Sequence, residues 1–176
     1  RIKEADDHTM TQIDASQEKR FYELFESYLN LEKNTARQYG PTEYTIDRMQ
    51  PLARLAGNPE KETKIIHVAG TKGKGTTCYY IAALIKSAGH RCGMFTSPHL
   101  RTVRERFQID GAYVSYTTLQ TCSETIEAAL REQHVHPTFF EILTVLALRL
   151  FADEKCAYTI LETGIGGTLD STNYIP

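Results

Sequence analysis

The sequence has no excess of either charge, no long apolar run, no closely paired cysteines and no low-complexity tract. Lysine and arginine number 20 against 22 aspartates and glutamates, a net charge of -2. Duplex affinity rests on a large basic excess that neutralises phosphates, so the balance argues against a dedicated nucleic-acid binder, and any anion site must be local. No stretch approaches the roughly 18 apolar residues that span a bilayer. The richest, Leu143 to Ala152, is interrupted by Arg149, so no membrane partner is expected. Cys78, Cys92, Cys122 and Cys156 are widely spaced, form no Cys-x-x-Cys pair and sit in apolar segments. That pattern suits reduced core thiols better than disulfides or zinc ligands. A reducing compartment fits, so cytoplasmic residence is expected, with a mitochondrial form left open. There is no internal repeat.

What remains is an ordinary globular composition. The 176 residues are 41% hydrophobic and 24% charged, enough for one sizeable core. Arg1 to Arg20 is polar and acidic, so residues 1–20 are expected to be an extension and 21–176 the folded unit. A start at Arg1 and a stop just after a glycine-rich stretch lead us to expect a piece of a longer polypeptide.

Hydrophobic periodicity gives alternating strands and helices. Gln17 to Leu31 reads as an amphipathic helix, and a second runs from Ile46 to Leu55, closed by Gly57-Asn58-Pro59. Lys64 to Ala69 is a buried-strand pattern, Thr76 to Ala88 a helix stopped by Gly89, and Cys92 to Thr96 a strand. Arg104 to Ile109 and Ala112 to Val114 flank Asp110-Gly111, a dipeptide that favours a type I′ hairpin turn. A helix follows from about Thr117 to Gln133. Thr138 and Glu141 have the spacing of a capping box for another helix, and Ala157 to Leu161 delivers Glu162 to a strand end. The expected fold is α/β: a P-loop-containing, mostly parallel sheet with helices on both faces. Ligands in such sheets lie beyond the carboxyl ends of the strands, where loops 70–76, 96–100 and 162–173 fall.

Gly70-Thr71-Lys72-Gly73-Lys74-Gly75-Thr76 follows a strand and opens a helix, the context of a phosphate-cradling loop. Glycines let main-chain amides approach an anion, the helix N-terminus adds partial positive charge, and Lys74 supplies a full one. The spacing departs from the standard Walker pattern, because Val68 stands where the first glycine belongs and Gly75 separates Lys74 from Thr76. Ser97 and Glu162 end two other strands and can converge on a magnesium ion, which prefers hard oxygen ligands. A Ser-Pro turn and a solvated acid are the plainer alternatives. His99 can touch phosphate or serve as a structural hydrogen-bonder. His67 reads as a satisfied core residue, and His90, His134 and His136 as surface. Arg104 and Arg106 read as a solvated hairpin edge. Of Phe139 and Phe140, one can pack inward while the other offers a flat face. Asp170 can hydrogen-bond a ligand N–H or form an Asx turn. Residues 164–173 read as a mobile loop beside the site.

Four blocks then resemble the folylpolyglutamate synthases, the folate branch of the Mur ligase superfamily. They are Ile66 to Thr76, Thr96 to Leu100 with Val103 to Arg106, Thr138 to Glu141, and Glu162 to Gly167 through Asp170-Ser171-Thr172-Asn173. Their order and spacing match over about Phe21 to Ile175, and Lys72 resembles the eukaryotic form of the loop. Thr163 departs from the usual Val, and Thr168 from a usually larger residue.

The resemblance implies an incomplete Mur-ligase-like central ATP-binding domain. It implies an ATP-dependent ligase that adds L-glutamate to the γ-carboxylate of a reduced folate through an acyl phosphate, with ATP and Mg²⁺ as cofactors. Carried over by position, Lys74 is the catalytic cation and Thr71, Lys72, Gly73, Lys74, Gly75 and Thr76 form the ATP loop. Ser97 and Glu162 are the magnesium ligands, and Thr138, Phe140 and Asp170 the pterin-side contacts. A further histidine ligand, a modified lysine and the glutamate site would lie outside this sequence, so the piece by itself is expected to be inactive. A monomer is expected for the full-length protein. Dihydrofolate synthase, a bifunctional enzyme or a non-catalytic nucleotide- or folate-binding fragment are the alternative readings.

Overall fold

In the computed structural model, the described residues are 7–28, 46–133, 135–164 and 167–175, with side chains from Ala15 onward. Among them, five strands form one sheet: β1 (Lys64–Val68), β2 (Cys92–Phe95), β3 (Phe107–Ile109), β4 (Ala112–Tyr113) and β5 (Tyr158–Glu162). Their spatial order is β1-β5-β2-β3-β4. β5 lies between β1 and β2 and runs parallel to both, with Val68 opposite Glu162 and Phe95 opposite Leu161. β3 and β4 extend the sheet as an antiparallel hairpin. The parallel centre is what the near-continuous apolar runs dictate, since strands covered on both faces have no polar side to show. Residues 159–162 of β5 are all buried.

The hairpin turns at Asp110 and Gly111, whose φ angles of 51° and 81° are both left-handed, as a type I′ turn requires. The strand expected over Arg104–Ile109 begins only at Phe107. Val103–Arg106 is instead a 3₁₀ turn, capped by Thr102 and Glu105. The Glu105 carboxylate accepts from the amides of Leu100, Arg101 and Thr102, and these three bonds hold its pKa below the usual carboxylate range against the opposing effect of burial. That local capping competes successfully with strand pairing.

Helices cover both faces. α1 (Asp7–Leu24), α2 (Met49–Leu55), α4 (Tyr116–Gln133) and α5 (Phe139–Asp153) share the larger core with Phe95, Phe107 and Leu161. α3 (Lys74–Ser87) covers the opposite face through Cys78, against Val68, Cys92, Met94 and Ile160. α5 is buried nearly all round, as a helix sandwiched between a sheet and other helices must be. It comes so close to β2 that a Cβ on Gly93 would lie 2.3 Å from the Phe151 ring.

α1 starts at Asp7, ten residues before the expected Gln17, and crosses residue 20. It ends at Leu24, after which Phe25 and Tyr28 continue in turns. Phe21 and Phe25 are buried as the spacing predicted, while Leu29 and Leu31 lie outside the described residues. His134, Ile165 and Gly166 also lie outside them. His90 and His136 are exposed, as expected.

Candidate active site

Because β1, β5 and β2 are parallel, their carboxyl ends bring the three expected loops to one edge of the sheet. After β1, Gly73 takes φ 75° and caps α3, which starts at Lys74. A glycine accepts that left-handed geometry without a Cβ penalty. Residues 69–73 are exposed, and the first-turn amides of α3 have no helical acceptor, so the loop presents donors to solvent. The Lys74 stem crosses over Gly70, with its Cγ 3.7 Å from a Cβ built there. Among the described residues the Lys74 ammonium makes no ion pair.

At the tip of β5 the Glu162 side chain is buried, with the residue 6% exposed, so it is not the solvated acid the sequence left open. Its Oε2 accepts the main-chain N–H of Ser97 at 3.1 Å. Both carboxylate oxygens lie 3.6 Å from the Cβ position of Gly75 in the first turn of α3. The Ser97 amide and the first turn of the phosphate loop's helix therefore meet at one carboxylate. The two Glu162 oxygens are hard donors of the kind a cation such as Mg²⁺ takes, while Ser97 turns its main-chain N–H toward them. Among the described residues no cluster of three or more His, Cys, Asp or Glu side chains forms a complete metal cage. The Ser97–Pro98 peptide is cis.

Two residues beyond Glu162, a second constellation surrounds Gly164. A Cβ there would fall 2.7 Å from Phe140 Cζ and 3.2 Å from Asp170 Oδ2, so Phe140 and Asp170 close on bare backbone. Phe139 is the inward ring, stacked on Tyr22 at 5.8 Å, while Phe140 is half-buried against Phe95. Thr138 caps α5 in the predicted box: its Oγ1 accepts Glu141 N, and Glu141 Oε2 accepts Thr138 N at 2.6 Å. Glu141 is itself buried and paired with Arg48 at 2.9 Å. Asp170 is 5% exposed and makes the Asx-type turn, accepting from Thr172 N and Thr172 Oγ1. The second half of the glycine-rich stretch is thus tied down in a 3₁₀ turn, Ser171–Tyr174, rather than a featureless loop.

Sequence reasoning missed the support around these groups. His67 is half-buried, and its Nε2 lies 2.7 Å from Thr172 Oγ1. The Thr172 hydroxyl proton goes to Asp170, so His67 Nε2 must carry the proton of that bond. Burial lowers the His67 pKa, and the Asp170 charge only partly opposes this. A polar residue inside the apolar run of β1 was the available signal. Arg106 is not solvated as expected: it is 1% exposed and donates Nε–H to His99 Nδ1 at 2.8 Å. Arg104 donates to Val114 O and lies over the Tyr116 ring. Thr163 also has a role, because its hydroxyl and its amide both donate to Val68 O and prolong the β1–β5 ladder.

Over 119 residues the chain is 49% identical to a folylpolyglutamate synthase of Arabidopsis thaliana, a match covering 65% of this chain and 19% of that protein. Over 135 residues it is 39% identical to the dihydrofolate synthase/folylpolyglutamate synthase of Bacillus subtilis, covering 74% and 31%. Over about two thirds to three quarters of its length, the chain is similar to folylpolyglutamate synthases. Its fold agrees, superposing on Mycobacterium tuberculosis folylpolyglutamate synthase, solved with ADP and AMPPCP, with a TM-score of 0.77 at 27% identity. That match covers 92% of this chain and 35% of the other. The chain spans about a fifth to a third of the length of these relatives. No family model matches it. No described helix is long and apolar enough to cross a membrane.

Proposed function

We propose that this chain is the nucleotide- and folate-contacting part of an ATP-dependent ligase that joins L-glutamate to the γ-carboxylate of a reduced folate. The observation that carries the reading is the convergence on Glu162 of the phosphate loop at Gly75 and the Ser97 amide, with the Phe140–Asp170 niche two residues away. One strand tip faces both a polyphosphate site and a site for a flat, hydrogen-bonding ring. A ligase needs that adjacency to bring a carboxylate up to a γ-phosphate.

In this reading the loop amides from Thr71 to Thr76 and the ammonium of Lys74 hold the β- and γ-phosphates, with Lys72 at the loop's open side. Phe140 offers a ring face to the pterin, Asp170 accepts its N–H groups, and Thr138 donates its hydroxyl proton while its oxygen caps α5. A folate carboxylate oxygen attacks the γ-phosphorus, the bond to the β-phosphate oxygen breaks, and ADP leaves. The glutamate amine then attacks the acyl carbon, loses a proton and displaces phosphate. Two anions must approach each other, so the protein's main task is fixed positive charge at the transferring group. Ser97 and Glu162 would hold a Mg²⁺ ion, which supplies further neutralisation of the triphosphate. The free cysteines suit a reducing compartment such as the cytoplasm.

The test uses the full-length polypeptide with Mg·ATP, tetrahydrofolate and glutamate, reading ADP and the mass of the folate product. A gain of one glutamyl residue per ADP is expected. ATP hydrolysis without glutamyl transfer, or no ATP binding, overturns the proposal. Replacing tetrahydrofolate by dihydropteroate separates the dihydrofolate synthase activity named for the Bacillus relative.

A further inference from the structure

His99 lies two residues beyond Ser97 and belongs to neither subsite, yet both of its ring nitrogens are engaged. Arg106, 1% exposed, donates Nε–H to Nδ1 at 2.8 Å. Guanidinium can only donate, so Nδ1 carries no proton in this arrangement and Nε2 does. Nε2 lies 3.1 Å from the Tyr22 hydroxyl and donates to it. The Tyr22 ring stacks on Phe139 at 5.8 Å and 28°, in the first turn of α5 beside Phe140. From a buried cation the chain of contacts thus runs through one imidazole to the helix that carries the niche.

The loop that His99 occupies is pinned on either side. Ser97 N is held by Glu162 Oε2, and the amides of Leu100, Arg101 and Thr102 are held by Glu105. Between these anchors, His99 joins the loop to Tyr22 of α1, which also holds the loop's far end through Glu18 and Val103 N. Phe139, Tyr22, His99 and Ser97 thus lie along one line of contacts and chain neighbours. We propose that His99 is a positioning residue that couples the Ser97–Glu162 cation site to the aromatic N-terminus of α5, so that each subsite sets the geometry of the other. This rests on the function proposed above.

The experiment uses the full-length polypeptide carrying Tyr22→Phe, His99→Asn, or both. Tyr22→Phe keeps the ring stack and removes the hydroxyl. Asn keeps an acceptor for Arg106 but is too short to reach Tyr22. Each single variant is expected to raise both the folate KM and the Mg²⁺ concentration for half-maximal rate by about fivefold, the scale of one neutral hydrogen bond. The turnover number and Tm should stay close to wild type, and the double variant should be no worse than the singles, since both cut one link. A merely structural role would lower Tm and the active fraction while leaving both constants unmoved, and that result overturns the proposal. So would effects that simply add, or a shift in one constant without the other. If the wild type binds Mg·ATP and folate but forms no glutamyl product, the proposed function fails. The coupling is then read from whether the variants weaken Mg²⁺-dependent ATP binding and folate binding together.

Discussion

The Ser97 amide and the Glu162 carboxylate meet at 3.1 Å, joining the ends of β2 and β5 at the point where α3 begins. The Glu162 carboxylate is buried, at 6% exposure, and a single amide donor meets it among the described residues, so its remaining acceptor positions have no protein partner. In the proposed function a Mg²⁺ ion would fill those positions. Glu162→Gln keeps the shape and an acceptor for Ser97 while removing the charge. We expect the variant to fold with a Tm equal to or above wild type and to lose about 100-fold in turnover, the scale of one fixed electrostatic contact. Mg²⁺ titration of nucleotide binding by calorimetry checks it, and an unchanged Mg²⁺ requirement would count against Glu162 as a ligand.

Gly164 discriminates the two subsites. A Cβ there would press to 2.7 Å from Phe140 Cζ, so Gly164→Ala must swing the half-buried Phe140 ring out of place. Folate affinity should fall about tenfold or more, while Mg·ATP affinity, which in the proposed function depends on the other side of the β5 tip, holds within twofold. Fluorescence titration with folate and calorimetry with Mg·ATP on one preparation separate these effects. Equal losses of both would place the damage in the fold.

The parts of this arrangement legible in the sequence were those with a local cause. The strand–loop–helix at 64–87, the Asp110-Gly111 turn and the Thr138–Glu141 box each follow from a few adjacent residues, and each formed within two residues of the expected place. What stayed hidden needed tertiary distance. Arg106 reads as a surface charge until the fold sets His99 beside it, 7 positions away in sequence. His67 reads as a satisfied core residue, but the partner that satisfies it, Thr172, lies 105 positions on. Arg104 to Arg106 followed the strand pattern, but Glu105 found three amides to cap. The start of α1 was missed because its first turns lack the apolar stripe that marks Phe21 and Phe25.

The thiols give a pH prediction. Burial, with smaller effects from neighbouring acids, raises Cys78, Cys92 and Cys122 to about 12, and burial raises Cys156 to about 11. The thiolate is the reactive form, so at pH 8 all four should resist a disulfide reagent in the native state and react at once in guanidinium. A pKa raised on folding stabilises the native state below the unfolded value and loses that contribution above it. Stability should therefore begin to fall as pH rises past about 9, the ordinary thiol value, and keep falling toward 12. Equilibrium denaturation at pH 7.5 and 9.5 checks the sign, with a Cys78→Ala variant showing a shallower decline.

Gly93 is the place where the sheet admits α5. With its Cβ position 2.3 Å from Phe151 Cγ, an added methyl cannot be met by a small rotation, because Phe151 is wholly buried and ringed by core neighbours. Gly93→Ala must either tilt α5 away from β2 or push Phe151 off its rotamer. Overpacking of this kind costs about 1–3 kcal/mol, which at this chain length lowers Tm by about 3–10 °C. The helix that would move carries Phe140 at its first turn, so folate binding should weaken along with stability while nucleotide binding changes less. Phe151→Leu removes ring atoms from the collision and should restore part of the lost Tm when combined with Gly93→Ala, although alone it opens space and destabilises. Thermal melts of the two singles and the double test this directly. Strict additivity of the two losses would mean that Gly93 and Phe151 do not share the contact on which the close packing of helix and sheet depends.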